Sequence, residues 1–164
     1  MGAKAQLEIS RLIPCSVAIL TVASKKDRDA MTASTMFISE NPPILTVSVA
    51  KHIVSHNLIE EAGEFVLNMA APDQVKLAMQ VGFTHGKDTN KFRRFHIQTA
   101  KASKVSAPLI KGAFAHLECK VITSLSTASY VVYLAEVAAY KVNQRVGPIA
   151  WYANRYFALN EEIR

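Results

Sequence analysis

The sequence has few cysteines, and their spacing is not that of a metal site. The 164 residues contain only Cys15 and Cys119, which lie far apart in the chain. There is no C-x-x-C pair and no Cys/His ligand spacing, which excludes a zinc site of the usual kind. Both cysteines stand in apolar, strand-like surroundings, a context typical of buried reduced thiols.

Several nucleotide and catalytic signatures are also absent. The chain has no G-x-G-x-x-G, no G-x-x-x-x-G-K-[ST] and no G-x-S-x-G. It therefore lacks a Rossmann fingerprint, a P-loop and a hydrolase nucleophile elbow. The longest nearly apolar run, Ile13 to Ala23, is about half the length of a membrane span. Because the N-terminal residues contain no hydrophobic signal region, we expect a cytoplasmic protein with no membrane partner.

Basic residues outnumber acidic residues in the chain. Lysine and arginine total 19 against 13 aspartates and glutamates, a net charge of +6. This excess fits either a nucleic-acid partner or an anionic small molecule. The basic residues are mostly spread out, and the one dense cluster is Lys91 to His96. We therefore favour a small molecule and keep a basic nucleic-acid-binding module as the weaker alternative.

The pattern of apolar residues predicts a single, mainly β domain (α+β) over residues 1–164. Strands are predicted at 16–23, 30–38, 44–50, 64–69, 113–125 and 130–143, and helices at 3–12, 55–63 and 72–82. Six strands with mostly antiparallel connections indicate a barrel with short helices at its ends. The stretch from Phe83 to Pro108 has no clean period, and a loop of that length in a compact domain is usually functional.

Three segments combine small residues with hydroxyl, amide or cationic side chains. Small residues let backbone N–H groups approach a ligand closely, and the N-terminus of a helix opening at Ser55 favours a phosphate. Lys51, Lys87 and Lys91 can neutralise that phosphate. Each segment taken alone is better explained by ordinary turns and a helix cap. The candidate binding residues are Met31, Thr32, Ala33, Ser34, Ser48, Val49, Ala50, Lys51, Ser55, His56, Phe83, Thr84, Lys87 and Lys91.

Taken in order, the segments resemble a known family, the flavin reductase-like proteins with an FMN-binding split β-barrel. The similarity runs from about residue 10 to residue 158. The motifs that carry it are Thr32-Ala33-Ser34, Pro42-Pro43, Ser55, Gly63 to Asn68, His85-Gly86-Lys87-Asp88 with Lys91-Phe92, and Leu117 to Cys119. Each motif is weak by itself, and the order and spacing together are specific.

The resemblance implies a six-stranded antiparallel split β-barrel of Greek-key type with FMN as the cofactor. It implies a homodimer with FMN near the subunit interface. In that arrangement the backbone of Thr32–Ser34 faces the flavin ring, residues 48–56 line the ribityl chain and phosphate, and residues 83–91 close over the phosphate. The flavin supplies most of the chemistry, so the resemblance implies no catalytic side chain.

The sequence departs from the family pattern at two places. Lys87 stands where the phosphate loop often has arginine. Lysine keeps the positive charge but lacks the bidentate fork of the guanidinium group. Tyr130 stands where many nicotinamide-using members carry the histidine of Gly-Asp-His. A flavoredoxin-like electron carrier without nicotinamide activity is therefore the main alternative to an NAD(P)H-dependent enzyme. The aromatic residues Trp151, Tyr152 and Tyr156 are expected either to cover the flavin or to form core or dimer contacts.

Overall fold

The computed structural model describes residue 9, residues 11–84, residues 89–159 and residue 162. Most of this part of the chain is antiparallel β-structure. The strands are β1 (Cys15–Ser16), β2 (Ala18–Ala23), β3 (Arg28–Ala33), β4 (Thr35–Glu40), β5 (Pro43–Ala50), β6 (Glu64–Met69), β7 (Thr99–Ala100), β8 (Leu109–Ile110), β9 (Ala115–Ser126), β10 (Tyr130–Val142), β11 (Ile149–Tyr152) and β12 (Arg155–Ala158). The helices are α1 (Val54–Ala62), α2 (Val75–Phe83) and α3 (Lys91–Arg94), and a 3-10 turn (Pro72–Gln74) precedes α2. The helix predicted at 3–12 lies largely outside the described residues.

The main sheet has seven strands in the order β3-β2-β6-β9-β10-β5-β4. The prediction of a six-stranded barrel is wrong in its count, because the strand predicted at 30–38 is two strands separated at Ser34. β3 lies at one edge of the sheet and β4 at the other, with only Ser34 between them. The sheet must therefore curl until its two edges meet at this residue. No hydrogen-bonded ladder joins β3 to β4 in the described chain, so the sheet stays open there.

One face of the curled sheet holds the larger hydrophobic core. Alternation along β5 turns Leu45, Val47 and Val49 inward, and all three are buried. Phe65 and Tyr133 fill the same core as its largest fully buried side chains. A second core lies under α2, where Val81 packs with residues of β2 and β3.

Helix α1 ends as the sequence predicts but does not begin as predicted. Gly63 follows it with φ 65°, a left-handed conformation in which its N–H bonds the Ile59 carbonyl. The predicted N-cap role of Ser55 is wrong, because the helix begins at Val54 and Ile53 occupies the N-cap without a side-chain hydrogen bond. Ser55 lies in the first turn and is fully buried. None of the described helices is both long and apolar enough to cross a membrane.

The predicted long loop is partly structured. It contains α3 and the short strand β7, which pairs with β8. Glu118 holds this segment against β9, since its carboxylate accepts hydrogen bonds from the backbone N–H groups of Ser103 and Lys104. Burial by itself raises the pKa of Glu118, but these hydrogen bonds outweigh burial and lower it.

Candidate functional site

A groove of about 210 Å³ lies where the two edges of the sheet meet. Thr32, Ala33 and Ser34 form one wall, so the first predicted segment comes together on one surface. Two aromatic side chains, Trp151 and Tyr156, also line the groove. Ser16 also lines the groove, and its hydroxyl donates to the Thr35 carbonyl at 2.9 Å. The fourth member of the segment, Met31, is partly buried and packs into the larger core instead.

The backbone of β3 has polar groups that point away from its neighbouring strand β2. β3 is an edge strand whose ladder is with β2, so alternate residues point their N–H and C=O groups away from β2. The Ala30 carbonyl is one of these outward groups, because the Lys91 ammonium donates to it at 2.6 Å. Thr32 lies two residues further along the strand and has the same orientation. Within the described residues its backbone N–H and C=O have no hydrogen-bond partner, so they are available to a planar ligand with donors and acceptors along its edge.

Helix α2 fixes the Thr32 side chain. The Thr32 hydroxyl donates to the Ala78 carbonyl, one turn before Gly82 on the same helix. A methyl group added at Gly82 would lie 3.0 Å from the Thr32 hydroxyl oxygen. Gly82 is therefore the residue that lets the helix pack this closely on β3, and its lack of a side chain helps to hold the groove wall.

The aromatic wall is built by a small hairpin. Trp151 of β11 is directly opposite Tyr156 of β12 and Cys15 of β1, so the two rings share one face of this sheet. Burial raises the pKa of Tyr156, so its hydroxyl stays protonated. Tyr152 points elsewhere and contacts the Phe157 ring, with 6.5 Å between ring centroids. The structure thus divides the aromatic tail: Trp151 and Tyr156 line the groove and Tyr152 does not.

A buried ion pair lies behind β3. The Lys91 ammonium is 3.0 Å from the Asp29 carboxylate, and the two side chains are only 6% and 8% exposed. The Ser55 hydroxyl donates to the same carboxylate at 2.6 Å. The arrangement ties α1 and α3 to β3. Lys91 and Ser55, both predicted to face a phosphate, therefore make buried contacts with Asp29, a residue that the sequence analysis did not single out.

The second predicted segment is dispersed over β5 and the turn after it. Ser48 is exposed on the sheet surface, whereas Val49 is fully buried in the larger core. Ala50 ends β5 opposite Tyr130. The Lys51 ammonium donates to the Thr127 carbonyl in the turn between β9 and β10. None of these residues lines the groove at Ser34.

His56 belongs to a hydrogen-bonded network with two partners from outside its segment. The Tyr133 hydroxyl donates to the Glu60 carboxylate at 2.6 Å, and the His56 Nδ1 lies 2.6 Å from the same hydroxyl oxygen. Because the only hydroxyl proton points to Glu60, His56 must donate from Nδ1. Burial and then Glu60 raise the pKa of Tyr133. The spacing of His56 and Glu60 on one helix face is visible in the sequence, but their partner on β10 is not.

The third segment is described only in part. Phe83 ends α2 with 77% of its surface exposed, and Thr84 follows it in an extended conformation. Lys87 and the rest of the motif at 85–88 lie outside the described residues. Beyond them, the basic cluster is partly structural: Phe92 is buried, and the Arg28 guanidinium stacks 4.4 Å from its ring centroid.

Tyr130 begins β10 and is half exposed. It lies at the end of the β9–β10 turn. There the Thr127 hydroxyl donates to the Tyr130 carbonyl and accepts from the Tyr130 backbone N–H. It does not line the groove at Ser34. Any contact between Tyr130 and a ligand in that groove therefore needs a ligand that extends along β5, or a groove on a second copy of the chain.

Comparison with known proteins gives a consistent family. A family model described as the flavin reductase like domain matches residues 10–160. The NADH-dependent FAD reductase of Streptomyces globisporus is 26% identical over 124 residues, which cover 76% of this chain and 68% of that protein. The NADH-dependent flavin reductase of a Rhodococcus species is 27% identical over 126 residues, or 74% of this chain and 66% of that protein.

Solved structures share the fold over nearly the whole chain. The NADH:FAD oxidoreductase of Streptomyces globisporus C-1027 superposes with a TM-score of 0.87 at 22% identity, covering 98% of this chain and 97% of that one. The flavoredoxin of Desulfovibrio vulgaris (Miyazaki F) gives a TM-score of 0.85 at 19% identity, and the superposition covers 94% of this chain and 92% of that one. At these identities the likeness concerns the fold alone.

Proposed function

The chain belongs to the flavin reductase-like domain family, and on that premise we propose that it is an FMN-dependent oxidoreductase. It passes electrons from a reduced donor, either a small molecule such as NAD(P)H or a redox protein, through FMN to free flavin, iron or a redox partner protein. The observation that carries this proposal is the groove at Ser34. Thr32, Ala33 and Ser34, which the family resemblance assigns to the flavin ring, line this groove together with two aromatic side chains, and this supports the proposal.

The groove suits a flavin ring by its chemistry. The Thr32 backbone offers a donor and an acceptor to the ring edge, and Trp151 and Tyr156 offer an apolar face. FMN, when bound, supplies the redox chemistry by accepting a hydride or single electrons. The protein residues orient the ring, exclude water from one of its faces and set hydrogen bonds to its polar edge.

We further propose that two copies of the chain complete the site. The groove of one chain, about 210 Å³, is below the 300–1,000 Å³ usual for a ligand pocket. The adjoining edge strand β4 exposes Met36, Phe37 and Ile38 at 62%, 61% and 45%. A monomer seldom leaves such an apolar run uncovered. Sedimentation of the flavin-loaded protein at micromolar concentration is expected to give a dimer, and a monomer under those conditions contradicts this part of the proposal.

The experiment for the flavin site compares FMN with riboflavin, which lacks the phosphate. Ser34→Phe fills the groove and is expected to lower the affinity for both ligands by about tenfold or more, since the ring site is lost. Lys87→Met is expected to lower the affinity for FMN by about 10- to 150-fold and to change the affinity for riboflavin little, because only the charge-assisted contact to the phosphate is removed. Lys76→Phe, at an exposed position of α2, is the control for an added aromatic side chain.

Two results contradict the proposal. Wild-type protein that does not bind FMN above an unrelated control removes the cofactor. Equal losses of FMN and riboflavin in Lys87→Met remove the phosphate assignment. The second candidate function, a flavoredoxin-like electron carrier, is favoured by Tyr130 at the position of the family histidine. An anaerobic titration of the FMN-loaded protein with NADH and NADPH separates the two functions, because the carrier is not reduced by either nucleotide.

A further inference from the structure

A second and larger cavity, of about 580 Å³, lies at the open end of the β9–β10 hairpin. It shares no lining residue with the groove at Ser34. β9 begins at Ala115 and β10 ends at Val142, so the cavity is roughly 35–40 Å along the hairpin from the turn that precedes Tyr130. The cavity is therefore separate from the groove at Ser34 and from Tyr130 in the described part of the chain.

The lining combines cationic and apolar side chains. Among the described residues that line it, the charged members are Lys111, Lys141 and Arg145, and none is a carboxylate. None of the three forms a salt bridge with a carboxylate of the described chain. The apolar members include Leu109 and Val142. A site with uncompensated positive charge beside apolar surface suits an organic anion better than a bare inorganic ion.

The fold sets the positions of these side chains. Lys141 is the direct cross-strand partner of His116, so both side chains lie on the same face of the hairpin. Lys111 sits in a turn whose carbonyl accepts a hydrogen bond from the Gln74 amide at 3.0 Å. The next residue, Gly112, has φ 87°, a positive value that residues with a Cβ atom rarely adopt. Arg145 follows in the loop after β10, where its backbone N–H donates to the Asn143 side-chain oxygen at 3.2 Å, so a turn, a strand and the loop after that strand supply the three cations.

His116 adds a hydrogen-bond acceptor to the lining. Its Nε2 lies 2.8 Å from the Ile110 carbonyl, an acceptor, so Nε2 carries the proton. In the neutral ring Nδ1 is therefore free to accept a hydrogen bond, for example from a sugar hydroxyl. The amide side chains of Asn143 and Gln144 lie in the same lining. The cavity thus offers cations for a phosphate together with partners for a neutral polar body.

We propose that this cavity binds a small organic phosphate of nucleoside monophosphate size. Lys111, Lys141 and Arg145 neutralise the phosphate, and the body of the ligand rests on Leu109 and Val142. The volume is within the range of small-molecule sites and well above what a lone phosphate ion needs. This site is additional to the flavin site and does not depend on the proposed oxidoreductase activity.

The test is a titration of ¹⁵N-labelled, FMN-loaded protein with AMP, adenosine and inorganic phosphate, followed by NMR. AMP is expected to shift the amide signals of Gly112 and Asn143, and adenosine and inorganic phosphate are expected to bind at least about tenfold more weakly. Lys141→Met and Arg145→Gln are each expected to weaken AMP by about two- to fivefold, as for exposed ion pairs. Together with Lys111→Met they are expected to cost about tenfold or more. Lys120→Met removes an exposed β9 cation outside the cavity and is the matched control.

The proposal is overturned if the triple variant binds AMP as tightly as the wild type. It is also overturned if inorganic phosphate binds as tightly as AMP. The third contrary outcome is that AMP displaces FMN or shifts the signals of the groove residues alone. Lys141→Arg keeps the charge and is expected to retain AMP binding, which separates a loss of charge from a folding defect. If the protein does not bind FMN at all, the same titration is made on the flavin-free protein. Failure of the flavin assignment and failure of this assignment are therefore distinguishable.

Discussion

The Asp29–Lys91 pair leads to the sharpest prediction about stability. Lys91→Met leaves the Asp29 carboxylate buried with the Ser55 hydroxyl as its remaining partner. Removing one member of a buried pair costs about 3–5 kcal/mol, because the other charge stays buried without compensation. For a chain of this length each kcal/mol lowers the melting temperature by about 2–4 °C. The expected decrease is therefore about 6–20 °C, measured on the flavin-free protein by calorimetry and by urea unfolding.

The same variant tests what Lys91 does for the ligand. A lysine already neutralised by Asp29 has little charge to offer a phosphate, so Lys91→Met and Ser55→Ala are expected to weaken FMN and riboflavin equally. If Lys91 bound the phosphate, its removal would instead lower the affinity for FMN much more than the affinity for riboflavin. Titration of both ligands under conditions where each variant is folded distinguishes the two roles.

Two further variants make this prediction refutable. Lys76→Met, at an exposed position of α2, is expected to change the free energy of unfolding by less than about 0.5 kcal/mol. Asp29→Leu combined with Lys91→Met replaces both charges with apolar groups and is expected to recover part of the loss. A Lys91→Met decrease below about 1 kcal/mol would refute the argument, because it would mean that solvent screens the pair.

Two other predictions concern the donor and the cysteines. Because Tyr130 stands in place of the family histidine, reduction of the FMN-loaded protein by NADH or NADPH is expected to be slow. Tyr130→His is expected to accelerate this reduction. Stopped-flow reduction of the wild type at about 10 s⁻¹ or more would contradict the prediction. Burial raises the pKa of Cys119 to about 12, so at pH 8 roughly one Cys119 thiol in ten thousand is ionised. A thiol-disulfide reagent at that pH is expected to label at most Cys15 in native protein and both cysteines after unfolding, and rapid native labelling of Cys119 would refute its burial.

The sequence predicted most of the secondary structure, because that structure is set by local patterns. The alternation at Leu45, Val47 and Val49 predicted β5, and Gly63 predicted the end of α1. The two long strands before and after the turn at residue 127 were also predicted close to their observed bounds. The family resemblance came from the order of short motifs, and the family match over residues 10–160 confirms it.

Three of the predicted binding residues, Thr32, Ala33 and Ser34, line the groove because they are adjacent in the chain, and their contact with a flavin stays a prediction. The sequence did not reveal that a single run of strand-forming residues divides at Ser34. That division depends on which edge of the sheet each half joins, and edge pairing is a long-range property. The aromatic wall could be listed as an alternative from the sequence, but only the register of β11 with β12 separates Trp151 and Tyr156 from Tyr152.

The roles of the charged and polar candidates were decided by the tertiary structure alone. Lys91 and Ser55 have the residue types and positions of phosphate ligands, yet a carboxylate from β3 comes within 3.0 Å of one and 2.6 Å of the other. Asp29 is 62 residues before Lys91 in the chain (91 − 29 = 62), and nothing in either local sequence marks them as partners. A residue type determines which contacts a side chain is able to make. Which contact it does make depends on the groups that folding brings beside it, and in a buried setting the opposite charge prevails because leaving either charge unpaired costs several kcal/mol.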